Sequence, residues 1–282
     1  MILLKKIKDV NKRLHFLKNK GKLIGFVPTM GALHKGHISL VELSKKNNDV
    51  TVCSIFVNPV QFNDPGDFQK YPVAIEKDIL LLEKNGVDIL FLPSVNEIYP
   101  EGIKDLPHYN LGFIETISEG EFRPGHFQGV CQVMHRLLNI VVPDKLYLGQ
   151  KDYQQCLVIK KLLQLTHIKT EIKICPIIRE TNGLAMSSRN VRLNEEDRKK
   201  AAAIYKTLIF IKQNIQTKNF NELKKEAAEK LIRSGFDKID YVEIADANSL
   251  ELMINRDEKI KILALIAVYL NGVRLIDNML LN

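Results

Sequence analysis

Short apolar runs rich in β-branched residues alternate with helix-patterned segments along residues 23–166, and few folds accommodate that rhythm. The runs lie at 23–27, 50–57, 88–92 and 145–148. Helical spacings follow through Leu40, Val41 and Leu43, then over 74–85 (Ile75, Ile79, Leu82), at about 126–141 and at roughly 153–166. The apolar runs are near-continuous, as strands are when helices cover both faces of a parallel sheet. The separation of the first two runs leaves room for a right-handed crossover helix. The expected fold class is therefore α/β, a Rossmann-like open parallel sheet with helices on both faces.

The ends of the chain read differently. Leu3, Ile7, Val10, Leu14 and Leu17 are spaced by three and four, which predicts an amphipathic helix over 3–19 with a basic outer face. Beyond Pro176 comes a polar loop. A helix then begins after Asn194, with Glu195, Glu196 and Asp197 in its first turn, and a second lies near 220–234. The Asn side chain can cap free N–H groups, and the carboxylates suit the positive end of the helix dipole. Strand-like stretches at 241–245 and 260–269 close the pattern. Helices followed by strands predict a smaller C-terminal α+β lid domain, 177–282, after a first domain of 1–176. A length of 282 residues is in keeping with two domains.

Charge and cysteine usage narrow the setting. Forty-one Lys and Arg against 33 Asp and Glu give a net charge of +8, which points to an anionic partner, nucleic acid or phosphate. Cys53, Cys131, Cys156 and Cys175 show no C-x-x-C spacing, and the surroundings of Cys53 and Cys175 are apolar. They read as small core residues in a reducing compartment, and a zinc site is not expected. Lys5 and Lys6 interrupt the N-terminal apolar residues before a signal peptide could form, and the apolar run 262–270 is about half the length of a membrane span. A cytoplasmic protein without a membrane partner is expected.

The segment Pro28-Thr29-Met30-Gly31-Ala32-Leu33-His34-Lys35-Gly36-His37 follows the first strand and opens a helix. Gly31 and Gly36 have the G-x-x-x-x-G spacing of a phosphate loop, but His37 and Ile38 stand where that loop has Lys and Ser or Thr. It is also not the G-x-G-x-x-G dinucleotide motif. Two imidazoles three residues apart at a helix N-terminus can address one anion. A metal half-site would need a third ligand, and none is evident nearby.

Three further segments carry polar groups. Gly149-Gln150-Lys151-Asp152-Tyr153-Gln154-Gln155 follows another strand, at the sheet end where open α/β folds bind ligands. Lys151 supplies a positive charge and Gln155 an amide. Asn58-Pro59-Val60-Gln61 offers further amides, so a small hydroxyl- or carboxylate-bearing substrate is expected. In 178–190, Ser187 and Ser188 precede Arg189, a set that can clamp phosphate while pyrophosphate leaves.

These stretches together resemble the pantoate–β-alanine ligases, nucleotidyltransferases whose HIGH-type motif is shared with class I aminoacyl-tRNA synthetases. The matching segments are PTMGALHKGH, FVNPVQF, EIYP, RPGHFQGV, LGQKDYQQ, GLAMSSRN, DYVEI and RLIDN, in order from residue 28 to 278. The resemblance implies ATP-dependent ligation of pantoate to β-alanine through a pantoyl-adenylate, with AMP and pyrophosphate released. It implies a catalytic set of His34, His37, Lys151 and Arg189, with His37 as proton donor. The ATP site it implies comprises Met30, Gly31, Ala32, Leu33, His34, Lys35, Gly36 and His37, then Gly149, Gln150, Lys151 and Asp152. Ile178, Met186, Ser187, Ser188 and Arg189 complete that site.

Gln61 and Gln155 match pantoate-binding amides, Gln61 also serving β-alanine. ATP is the co-substrate and Mg2+ the metal, with Asp78 as a candidate ligand, although a plain surface carboxylate is the commoner explanation for such a residue. The partners implied are these small molecules and a second copy of the chain. The family's YPRT reads Tyr71-Pro72-Val73-Ala74 here, so an Arg and a hydroxyl are missing. Two rivals remain: an adenylyltransferase acting on another small acid, and an RNA-binding relic of a synthetase. The second lacks any appended tRNA-binding domain or aromatic–basic motif, so no nucleic-acid partner is expected.

Overall fold

The computed structural model describes residues 1–63 and 65–282. A six-stranded sheet is built from β1 (Ile2–Leu4), β2 (Ile24–Thr29), β3 (Val50–Ile55), β4 (Ile89–Phe91), β5 (Lys145–Gly149) and β6 (Glu171–Cys175). Its order is β1-β4-β3-β2-β5-β6, and every pairing is parallel. The connecting helices are α1 (Ile7–Asn19), α2 (Lys35–Asn47), α3 (Pro65–Gln69), α4 (Ile75–Lys84), α5 (Val95–Ile98), α6 (Glu119–Phe122), α7 (His126–Val141) and α8 (Tyr153–Thr166).

Alternate residues of each strand enter different cores, which is why the runs are apolar throughout. Ile24, Phe26, Val50, Val52, Ile89 and Phe91 pack with α1, α7 and α8. Val27, Cys53, Ile55 and Leu90 pack on the other face with Ile38, Leu40 and Val41 of α2 and Leu82 of α4. All four cysteines are free and buried, as their apolar neighbourhoods predicted, and burial pushes their thiols up. They are packing residues.

Two expectations at the chain's edges change. The helix predicted over 3–19 starts at Ile7, because Ile2, Leu3 and Leu4 pair with Ile89, Leu90 and Phe91 as an edge strand. Leu3 shares the helical spacing by coincidence, and a three-residue strand carries no period of its own. In the C-terminal part, α9 (Glu195–Ala201), α10 (Ala203–Asn214) and α11 (Phe220–Arg233) precede β7 (Lys238–Asp246), β8 (Ile262–Leu270) and β9 (Val273–Leu280). Asn194 caps α9 as expected, its Oδ1 accepting the Asp197 N–H at 2.8 Å. The third strand, β9, lies beyond the two expected. Its Arg274, Asp277 and Asn278 make it look polar, yet Asp277 and Asn278 are buried.

The antiparallel sheet β7-β8-β9 is covered on both sides. One face packs on α10 and α11 through Ile204, Leu208, Leu223, Ile244 and Ile266. The other meets Leu157 of α8 through Tyr241, Leu263 and Leu265. Central β8 is accordingly apolar along its whole length.

Candidate active site

Strand order places the site. From β2 the chain proceeds outward to β3 and β4, and the later strands β5 and β6 lie on the opposite side. The carboxyl ends of β2 and β5 thus flank a topological switch point, where ligands bind in open α/β sheets. A cavity of about 220 Å³ opens there. Met30, His34, Gly36 and His37 line it from the β2 loop, and Gly149, Lys151, Asp152 and Gln155 from the β5 side. Ile178, Met186, Ser187, Ser188 and Arg189 enter from the segment after β6, and Gln61 from the turn after β3. Most of the sequence-predicted residues line one space. Gly31, Ala32, Leu33, Lys35 and Gln150 lie outside the lining.

The two histidines are fixed by a helix cap. His34 is the N-cap of α2, and its Nδ1 accepts the Gly36 N–H at 3.1 Å. The His34 N–H in turn donates to His37 Nδ1 at 3.2 Å. This is the reciprocal logic of a capping box with imidazoles in place of hydroxyl and carboxylate. Gly36 has to be glycine, since a Cβ there would stand 2.8 Å from the His34 ring.

Protonation follows from these bonds. Each Nδ1 is an acceptor, so each ring carries its hydrogen on Nε2, the only donor left to offer a ligand. Burial, with help from Lys151 and against Asp152, pushes His34 down to about 4. Burial, His34 and Lys151 hold His37 well below the ordinary imidazole value. The pair therefore offers an anion two neutral N–H donors and no positive charge. The cations at the cavity are Lys151 and Arg189, each beside a carboxylate, Asp152 and Asp67.

The same shifts make stability pH-dependent. The unfolded chain protonates each histidine below about 6.5, whereas folded His34 and the buried His126, pushed down to about 3, stay neutral to far lower pH. Unfolding is thus favoured as pH falls below about 6.5, by roughly 2 kcal/mol per such histidine at pH 5. Thermal scans should give a constant midpoint from pH 8 to 6.5 and a steady fall towards pH 5. A midpoint unchanged at pH 5 would contradict the neutral assignment.

Several site residues find partners that no spacing predicted. Arg189 forms a two-point contact with Asp67 of α3, Nη2 to Oδ2 at 2.6 Å and Nε to Oδ1 at 3.3 Å. Ser188 donates to the Ala32 carbonyl at 3.0 Å and ties the 186–189 segment to the β2 loop. Asn278 of β9 donates to the Gln150 and Lys151 carbonyls, both at 2.9 Å, so the RLIDN motif holds the turn that presents Lys151. Asp277 pairs with Arg179 beside it.

Asn58 and Asp78 differ from expectation. Asn58 is buried away from the cavity, giving Nδ2 to Gln61 Oε1 at 3.2 Å and taking the Tyr99 hydroxyl on Oδ1 at 2.9 Å. It orients Gln61, whose Nε2 reaches Met30 Sδ at 3.0 Å. Asp78 is no surface carboxylate: it is 2% exposed. Its Oδ2 accepts the Ala32 N–H and its Oδ1 the Leu33 N–H, each at 2.8 Å. That carboxylate, the candidate magnesium ligand, is occupied as an anchor of the loop. Among the described residues no three His, Cys, Asp or Glu side chains converge as a metal site. At the departure from YPRT, Val73 is exposed and Ala74 leaves the N-terminus of α4 without a side-chain cap.

The sequence and the fold both match known proteins. Residues 2–280 match the family model described as pantoate-beta-alanine ligase. The pantothenate synthetase of Caldicellulosiruptor bescii is 45% identical over 280 residues, covering 99% of this chain and 98% of that protein. That of Cytophaga hutchinsonii is 45% identical over 283 residues, covering 100% and 99%. The crystal structure of pantothenate synthetase from Thermus thermophilus superposes with a TM-score of 0.91 at 37% identity, covering 99% of both chains. The pantoate-beta-alanine ligase from Francisella tularensis, complexed with beta-gamma ATP and beta-alanine, gives 0.79 at 40% identity, covering 99% of this chain and 97% of that one. Among the described residues no helix is long and apolar enough to cross a membrane.

Proposed function

Since the chain belongs to the pantoate–β-alanine ligase family and is a ligase, we propose that it joins pantoate to β-alanine at the expense of ATP through a pantoyl-adenylate. The observation that carries this reading is the shared cavity, lined together by two imidazoles whose free N–H groups can donate, two cations and the amides of Gln61 and Gln155. A relative solved with a nucleotide and β-alanine supports the choice of ligands.

In the first step a pantoate carboxylate oxygen attacks the α-phosphorus. The bond from that phosphorus to the bridging oxygen breaks, and pyrophosphate leaves with the electron pair. In the second, the uncharged β-alanine amine attacks the acyl carbon. The bond from that carbon to the phosphate oxygen breaks, AMP leaves with the electron pair and the nitrogen releases a proton to solvent. Charge builds on the phosphate oxygens in the first step. The Nε2–H groups of His34 and His37, the N-terminus of α2, Lys151 and Arg189 are suited to meet it. For Arg189 to do so, the polyphosphate must share or displace Asp67. Holding the carboxylate of pantoate in line with the phosphorus is the larger task, and it falls to Gln61 and Gln155.

A divalent ion fits this site best as cargo of the nucleotide's own phosphates, because Asp78 is 2% exposed with each oxygen already accepting a backbone N–H, and no carboxylate cluster stands by among the described residues. Within the same proposal, residues 177–282 form a lid over 1–176, and two copies pair as a cytoplasmic homodimer. A sedimentation mass of one chain would remove the last of these.

The test is isotope exchange between pyrophosphate and ATP, combined with AMP release on omitting each substrate in turn. Exchange should need pantoate and no β-alanine, and AMP should accumulate in step with turnover only when all three substrates are present. Exchange supported solely by another acid, or ADP as the product, would sink the reading.

A further inference from the structure

A buried chain of polar side chains runs from the second sheet to Gln61 without passing through the two histidines of the cap. It starts at Arg274 of β9, whose Nε donates to Asp240 Oδ2 and whose Nη1 donates to Glu119 Oε2, both at 2.8 Å. Glu119 Oε1 also accepts the Tyr241 hydroxyl at 2.7 Å. Burial alone would raise this carboxyl, but Arg274, Arg123 and Tyr241 hold it at about 2, so it is ionised.

Glu119 sits on a rigid mount. Ser118 ahead of it has φ of +45°, a conformation unfavourable for a residue with a Cβ. Gln154, 2% exposed, accepts the Glu119 N–H at 3.0 Å and donates to the Ile114 and Ile117 carbonyls at 2.7 and 2.9 Å. The chain then continues to Arg123, whose Nη1 lies 3.5 Å from Glu119 Oε2 and 3.1 Å from His126 Nε2.

The His126 tautomer is decided by chemistry. A guanidinium only donates, so Nε2 is the bare acceptor and the hydrogen is on Nδ1. Nδ1 lies 2.8 Å from the Gln61 carbonyl oxygen, to which it must donate. Burial and the Arg123 charge push this imidazole down to about 3, in keeping with a neutral ring. Every bond from Arg123 to Gln61 thus has one permitted direction, and the other tautomer would set hydrogen against guanidinium and lone pair against carbonyl.

We propose that Arg123 and His126 are positioning residues for the acid substrate: they fix the backbone, and through it the amide, of Gln61, and tie it by Glu119 to Arg274 of the second sheet. The proposal rests on Gln61 binding pantoate. It predicts an effect on the substrates that Gln61 binds and not on ATP, because the imidazoles and cations that face the polyphosphate are held by other bonds.

The paired substitutions His126→Asn and His126→Gln test it. Asn places an N–H near the Nδ1 position and keeps the bond to Gln61; Gln reaches the Nε2 position and loses it. We expect His126→Gln and His126→Ala to raise the pantoate KM about tenfold, as for one lost buried hydrogen bond. The ATP KM should stay within about twofold, and His126→Asn should recover most of the loss. In a Gln61→Ala background the His126 changes should add nothing further. Glu119→Gln should move the pantoate KM in the same direction and less than additively with His126→Gln. Equal behaviour of Asn and Gln, full additivity, or an ATP KM that moves as far as pantoate's would overturn the relay. If Gln61→Ala alone leaves the pantoate KM unchanged, the substrate assignment fails instead, and the proposal with it.

Discussion

His37→Ala is expected to slow adenylate formation in a single turnover by about 10²–10³-fold, the usual cost of one lost donor to developing charge. The argument turns on the ring's protonation. Because Nδ1 is committed to the His34 N–H, only Nε2–H can reach a phosphate oxygen. That bond strengthens as charge moves onto the departing oxygens, so its loss falls on the chemical step more than on binding of pantoate. The substitution also removes a cap from α2, which weakens the helix by about 1 kcal/mol. His37→Asn separates the two effects, since its Oδ1 can accept the His34 N–H while no N–H extends to the Nε2 position. Asn should restore stability and leave the rate low. A His37→Asn enzyme with wild-type single-turnover rate would refute the donor role.

Asp78→Ala should destabilise the protein by about 3–5 kcal/mol before any nucleotide is present. Two buried N–H groups lose their acceptor, and each such loss costs roughly 1–3 kcal/mol, with a small cavity added. The bonds hold a turn that is otherwise unfavourable: Gly31 has φ of +85° and Ala32 of +49°. A glycine suits the first position, while the second carries a Cβ into left-handed space and depends on Asp78 to stay there. Thermal or urea unfolding of the nucleotide-free protein measures the effect. A magnesium ligand would behave otherwise, with unchanged stability and an activity loss that excess magnesium relieves; that outcome would return Asp78 to the metal.

Much of this was legible beforehand because it depended on local pattern. Continuous apolar runs implied strands buried on both faces, and the cores on either side of β2 and β3 explain them residue by residue. The histidine pair at a strand–loop–helix junction marked the site for a similar reason, since a helix N-terminus is where a chain can offer N–H groups to an anion. Asn58 misled because an amide near a site looks the same in sequence whether it meets a ligand or another amide. Asp67 gave no signal at all, being one carboxylate in a polar stretch 122 positions before its arginine.

The sequence by itself determined the alternation of strands and helices from β2 to α8 and marked the β2 loop as the candidate site. Those follow from periodicity, glycine placement and residue type, which act within a few positions. Tertiary structure alone decided which strands are neighbours and which nitrogen of each histidine bears its hydrogen. It also made Asp78 an anchor and joined Arg274 to Gln61 through Glu119, Arg123 and His126. Protonation and hydrogen-bond direction are set by the atoms a fold brings together in a dry interior, and those atoms lie far apart along the chain.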